Sequence, residues 1–382
     1  MDILHISELG LPDWRVEKAA LTGCKYGHTV YFAGLDSPNY SSNVFKKIIK
    51  LDWTWQSRLG FPYYYHLVKK QVKRIVDEIK PDVIHAHNIF AGKMASEFDY
   101  PIVYDDHEYW IAYVKHLKEL ISKSTSIKNS ILSLPRKVLK KNVTKLWRFR
   151  SQQLWKKWEE ELVSNFITIT VSDSIATELR KFGRTVFVVP NFPTITETKN
   201  FQTPIFHKTV SSVYAGIESP SFILPHRNIN GLTDLFQRNS IGNLIMIGEN
   251  GQSTDKVFFK GRLQRNKMYE EMMKHSIGLL PWKQHPSHNY VNPNKVFEYA
   301  HAGLLVICTS LFISVKDYLK NNCLTYEDNN ELVGKLEYFQ NNMEDLFKKR
   351  VKIFEFAQKN LLWENYDDKI LEAYKLCNSK EN

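Results

Sequence analysis

The chain lacks the features that would place it in a membrane, in a disulfide framework or among dinucleotide enzymes. No apolar run approaches the roughly 20 residues that a membrane-spanning helix needs, and the opening MDILHISELG has neither the basic start nor the long apolar stretch of a signal peptide. The four cysteines, Cys24, Cys308, Cys323 and Cys377, are scattered without metal-ligand spacing. Cys308 lies in an apolar run expected to be buried, so reduced thiols and a cytoplasmic setting are expected. There is no G-x-G-x-x-G, no Asp-x-Asp and no repeat of solenoid period. Acid is also scarce in one place. Between Ile111 and Trp158, Glu119 alone faces thirteen Lys and Arg, a balance of +12 that accounts for the whole chain's +11. That pattern describes one local basic surface rather than a general affinity for nucleic acid, and the stretch has no RNA-binding motif.

What is present reads as an ordinary soluble composition, 43% hydrophobic and 24% charged, in a chain of 382 residues that is too long for one core. Two domains follow as the expectation. The most informative stretch is Asn292–Ser310, NPNKVFEYAHAGLLVICTS. Asn292-Pro293 opens a helix, with Pro suited to the first turn, and Gly303 suits its C-terminal cap. Leu304–Cys308 reads as a buried strand. Lys295 and Glu298, three apart, share a helix face. Beside a helix N-terminus they suit a ligand with phosphates and sugar hydroxyls, although an ordinary surface ion pair has the same spacing.

The words PNKVFEYAHAGLLVI resemble the donor-site helix of the family 4 retaining glycosyltransferases of the GT-B architecture, where P-x-K-x-x-E-Y/F-x-x-x-G-x-P-V-I recurs. The resemblance implies that Glu298 binds the ribose of a nucleotide-sugar and that Lys295 lies near its phosphates. Asn294 and Tyr290 are further donor-binding candidates. Tyr290 stands where the family often has a Glu for a sugar hydroxyl, and Leu305 replaces the usual Pro.

The remaining motifs follow in order. Ile3–Ile6, a helix from about Trp14 to Lys25, and Thr29–Ala33 make a β-α-β opening. DWRVEKAALTGCKYGHTVYFAG resembles the family's opening, with Arg15 at a basic position facing the cleft; a solvated Arg at a helix start is the alternative. A helix over Pro62–Ile79 precedes KPDVIHAHN, whose strand Val83–Ala86 ends in His85, His87 and Asn88, where open α/β sheets gather ligands. His85 is read as structural, on the face opposite His87. PIVYDDHEYW, a strand at Ile102–Tyr104, ends in Asp105, Asp106, His107 and Glu108. Four ionisable groups there are expected to line a polar cleft, unless an Asp simply caps the next helix. The resemblance makes His107 the catalytic candidate close to the donor sugar. Arg15, Asp106 and Glu108 are candidates on the acceptor side. TVSDSIATELRKFG leads to VFVVPN, with Ser172 or Asp173 capping a helix. Farther on, the family's Arg for the donor diphosphate is matched by Arg227, with His226 beside it.

The resemblance implies an α/β protein of GT-B architecture, two Rossmann-like domains with parallel sheets facing a central cleft. The expected division is an acceptor domain at 1–190 with a basic helical insert at about 111–150, a hinge at 191–207, a nucleotide-sugar domain at 208–360, and a helix in 361–382 crossing back to the first domain. The expected activity is retaining transfer from a UDP- or GDP-sugar to a glycan or lipid-linked acceptor, with no cofactor and no metal. A degenerate nucleotide-binding subunit and a nucleotide-sugar epimerase are the alternatives. The insert is expected to dock on an anionic membrane surface at the cytoplasmic face or to cover the cleft.

Overall fold

The computed structural model describes residues 1–37, 40, 42–115, 153–183, 185–216, 227–229 and 231–379. Of the expected basic insert only 111–115 falls among the described residues, and His226 lies outside them. The chain divides into two units, Met1–Pro190 with Tyr366–Asn382, and Asn191–Asn365. The expected hinge, 191–207, thus falls within the second unit.

The first unit is built on seven parallel strands: β1 (Asp2–Ser7), β2 (Thr29–Gly34), β3 (Lys47–Lys50), β4 (Val83–His87), β5 (Ile102–Asp106), β6 (Ile167–Thr170) and β7 (Val186–Val188). Their order is β3-β2-β1-β4-β5-β6-β7. Strands β4, β5 and β6 are buried along their whole length, because helices cover both faces of a parallel sheet. The edge strand β3, KIIK, is largely exposed with Lys at both ends, which discourages pairing with another chain. The helix Trp14–Lys25 starts where the Asp13 side chain accepts from the backbone N–H of Arg15 and Val16, satisfying donors that a helix start leaves open. Ser172 caps the helix Asp173–Leu179 in the same way. The chain's last helix, Asp367–Asn378, packs against Trp14–Lys25. Asp367 there accepts from Thr22 Oγ1 and from Lys25 Nζ, both at 2.7 Å.

The second unit carries six parallel strands: β8 (Ser211–Ala215), β9 (Asn243–Ile247), β10 (Val257–Gly261), β11 (Ile277–Leu280), β12 (Leu305–Thr309) and β13 (Cys323–Tyr326), in the order β10-β9-β8-β11-β12-β13. The helix Asn294–His301 begins after Pro293, so the Pro sits at its cap rather than inside the first turn. It ends at Gly303, φ 68°, where an added Cβ would run into Pro204. Arg350, 1% exposed, donates to the carbonyls of Gly303 (2.9 Å), Ile205 (2.8 Å) and His275 (2.9 Å). One buried side chain thereby satisfies carbonyls from three separate loops.

Each sheet reverses its strand order once, between β1 and β4 in the first unit and between β8 and β11 in the second. A crevice opens outside the C-terminal ends of the strands at such a switch point, and ligands of open α/β sheets bind there. Glu8 follows β1 and Asn88 follows β4; Gly216 follows β8 and Trp282 lies just past β11.

Candidate functional site

In the first unit the ends of β1, β4 and β5 assemble a buried histidine cluster around Asp105. Arg15 grips that carboxylate, Nε lying 3.0 Å from both oxygens and Nη2 2.7 Å from Oδ1, and its Nη1 donates to the Val189 carbonyl at 2.8 Å. Arg15 is 5% exposed; it is not a solvated residue at a helix start. Around Asp105 Oδ2 stand His85 Nε2 (3.4 Å), His87 Nδ1 (3.4 Å) and His107 Nε2 (3.5 Å). His107 Nε2 lies 3.2 Å from His87 Nδ1, and His87 Nε2 lies 3.0 Å from His5 Nδ1. A line of three imidazoles therefore runs from the buried His5 to His107, the outermost member.

Burial first, and the neighbouring imidazoles second, push His5 and His87 well below the usual histidine range. These rings are neutral, with one N–H each to share along the line. Burial alone would raise the Asp105 carboxyl, but Arg15 and then His107 hold it well below its ordinary range. His85 does not point away from His87. Residues two apart on a strand share a face, and the two rings stack at 4.3 Å. The outer nitrogen of His85 is held by Tyr374 Oη at 2.8 Å.

Adjacent residues on a strand take opposite faces, so Asp106 leaves this group. It accepts from Tyr104 Oη at 2.9 Å and opposes Glu159, which accepts from the N–H groups of Trp110 (2.7 Å) and Ile111 (2.8 Å). Burial and then their mutual repulsion raise Asp106 well above its usual range, and burial takes Glu159 up to about 8. Through those two N–H groups Glu159 anchors the start of the helical residues 110–115. Glu108 is exposed.

Two residues at the same sheet edge went unremarked or unassigned in the sequence. Glu8, 4% exposed, is raised to about 7, chiefly by burial. Asn88, 7% exposed, donates to Glu8 Oε1 at 3.4 Å. Only their place at the ends of β1 and β4 could have signalled them.

Metal-ligand geometry is available here, since His5, His85 and His87, and likewise His87, Asp105 and His107, bring ligand atoms within 4.8 Å of one another. The Arg15 guanidinium, 3.0 Å from the same Oδ2 that would ligate, opposes a further cation.

In the second unit the end of β8, the segment after β11 and the helix Asn294–His301 build a cationic pocket on aromatic walls. Lys295 Nζ lies 4.7 Å from the Tyr214 ring centre and 5.2 Å from that of Trp282, and the Arg227 guanidinium lies 5.3 Å from the same indole. Trp282 Nε1 donates to Tyr214 Oη at 3.3 Å, and Tyr299 Oη accepts from the Ala215 N–H at 2.7 Å. A Cβ on Gly216 would collide with Lys295 Nζ; the absence of a side chain there lets the ammonium lie against the strand end. Burial, and then the Arg227 charge, lower Lys295 to about 7. Two cations facing one indole make a site for an anion.

Glu298 sits one turn along from Lys295 and is 7% exposed. Its Oε1 lies 3.0 Å from Arg265 Nη1, whose Nη2 is 2.6 Å from Glu197 Oε1. The structure thus brings Lys295, Arg227 and Glu298 into one neighbourhood. Asn294 is exposed at the helix start, and Tyr290 ends the short helical turn Pro286–Tyr290 that precedes it. Tyr214, Trp282 and Arg265 were missed in the sequence because they come from three separate segments with no shared motif.

Residues 23–193 match the family model described as Glycosyltransferase Family 4. No curated protein matches the chain. Among solved structures, a sucrose-phosphate synthase from Thermosynechococcus elongatus is similar at a TM-score of 0.71 and 13% identity, over 100% of both chains. HepE from Anabaena, in complex with UDP-glucose, gives 0.66 and 11% over 98% of this chain and 99% of its own. A putative UDP-N-acetylglucosamine 2-epimerase from Listeria monocytogenes gives 0.61 and 11% over 100% and 97%. The fold is GT-B, and no described helix is long and apolar enough to cross a membrane.

Proposed function

We propose that this chain, whose residues 23–193 are a Glycosyltransferase Family 4 segment within a GT-B fold, is a retaining glycosyltransferase that takes its sugar from a nucleoside-diphosphate donor. The observation that carries the reading is the pairing of Lys295 and Arg227 over Trp282, one helical turn from Glu298. A diphosphate supplies the charge that the two cations lack, and the N-terminus of the helix Asn294–His301 adds its partial positive charge. Glu298 would accept from the ribose hydroxyls, displacing Arg265 from one oxygen. Leaving-group charge would be met by Lys295 and Arg227, through positioning and electrostatics, with no metal needed at the diphosphate. HepE's complex with UDP-glucose supports a uridine donor. His107, at the outer end of the imidazole line, would meet the transferred sugar. The acceptor would be a glycan or a lipid-linked precursor at the cytoplasmic face, with the basic insert on anionic lipid.

Calorimetry with UDP and GDP tests the donor site. One nucleotide should bind the wild type, and Glu298→Ala should weaken it by about 1–3 kcal/mol. Equal affinity in the variant would remove Glu298 from the site, and no binding of either nucleotide would leave a degenerate binding domain as the better account. The similarity to an epimerase structure keeps a second reading in play. Incubation with UDP-N-acetylglucosamine alone separates the two: epimerisation without an acceptor belongs to that reading, transfer with retained anomeric configuration to the first.

A further inference from the structure

We propose that Glu8 and Asn88 form a hydroxyl-recognition subsite for a carbohydrate acceptor in the crevice between β1 and β4; the inference rests on the glycosyltransferase reading. Glu8 Oε2 and Asn88 Oδ1 are buried acceptors that meet no donor among the described residues. Asn88 Nδ2 points to the other Glu8 oxygen, and Arg58 Nη2 donates at 2.6 Å to the Glu8 main-chain carbonyl rather than to its carboxyl. The Arg58 Nε–H is in turn buried without an acceptor among the described residues. A site holding bare acceptors and a bare donor suits a group that both gives and takes a hydrogen bond, and neighbouring hydroxyls of a sugar ring do so.

The backbone supports the same assignment. Asn88 has φ 64°, left-handed for a residue with a side chain, and it joins β4 to the helix Asn88–Ala95 without a connecting loop. Strain of this kind concentrates at ligand sites. Here the elbow sets the Asn88 amide beside Glu8, at the point where the strand order reverses. Glu8 is raised to about 7 by burial, moderated by Arg58 and His107 and opposed by Asp13. Those two basic groups disfavour a cationic ligand, and the bare acceptor oxygens disfavour an anionic one.

Saturation-transfer NMR with methyl α-glycosides of glucose, mannose and galactose, with and without UDP, tests the subsite. The variants are Glu8→Gln, which keeps the shape, and Asn88→Gly, which tolerates the left-handed backbone. Circular dichroism and thermal melts of each variant serve as the control for folding, and nucleotide affinity by calorimetry as the control for the donor site. The wild type should bind at least one glycoside, more strongly at pH 8 than at pH 6 as Glu8 ionises. Each variant should weaken it about tenfold while leaving nucleotide affinity unchanged. Undiminished glycoside binding in both variants, or nucleotide binding with no glycoside bound by the wild type, overturns the subsite. Glycoside binding that depends on Glu8, without nucleotide binding, keeps the subsite and removes the donor reading.

Discussion

Lys295 shows how a single protonation can report on the donor pocket. With its affinity for protons lowered to about 7, the amine is part neutral at physiological pH. A diphosphate beside it would favour the charged form, so nucleotide binding at pH 8 should take up about one proton. Calorimetric enthalpies measured in HEPES and in Tris should then differ at pH 8 in proportion to the ionisation enthalpies of the two buffers. Affinity should weaken by up to about tenfold for each pH unit above 7. Identical enthalpies in the two buffers at pH 8 would remove Lys295 from contact with phosphate. Lys295 and Glu298 were readable in the sequence because their spacing alone places them on one face of one helix. Their surroundings were not. The indole of Trp282, the phenol of Tyr214 and the guanidinium of Arg265 reach them through chain separations that no local pattern encodes.

Individual strands were readable wherever burial on both faces wrote an apolar run, as in IVYDD, LVICT and NLIMI. The edge strand KIIK and the half-buried CLTY were passed over, since edges carry charge or mixed burial. Alternation along β5 decides the fates of neighbouring carboxylates, turning Asp105 to the histidines and Asp106 to Glu159. That second face carries its own prediction. A carboxyl raised from 4.5 to about 8 holds its proton more tightly when folded. Its contribution to stability is full below the unfolded value near 4.5 and declines as pH rises towards 8. Glu159→Gln cannot ionise, so its unfolding temperature should gain on the wild type between pH 5 and pH 8. The gain should be at most about 1.4 kcal/mol per pH unit, or about 3–6 °C for a domain of this size. A constant gap across that range in thermal melts would show that the pair does not share this penalty.

Across the whole molecule, the two-domain α/β organisation was readable because motifs recur in order along most of the chain. The return of the helix in 361–382 to the first domain was expected from the resemblance, and residues 366–382 do belong to the first unit. The contacts that dock it, Thr22 and Lys25 with Asp367, were not readable because they join positions far apart in sequence. The second unit is one continuous segment, and its ends meet: Trp363 N–H donates to the Pro193 carbonyl at 3.0 Å, and Glu364 accepts from the Ile195 N–H. Residues 191–365 expressed alone should therefore give a cooperative melt and keep nucleotide binding, whereas residues 1–190 alone should not fold stably. A cooperative, protease-resistant 1–190 fragment would contradict this. The first unit, by contrast, takes its last helix from the far end of the chain, including the Tyr374 hydroxyl that holds His85. On the ribosome, domains ordinarily fold in the order they emerge, and the composition of the two units predicts the reverse order here. Residues 191–365 can close on themselves first, while the histidine cluster waits for Tyr374, 289 residues after His85, before its outer hydrogen bond can form.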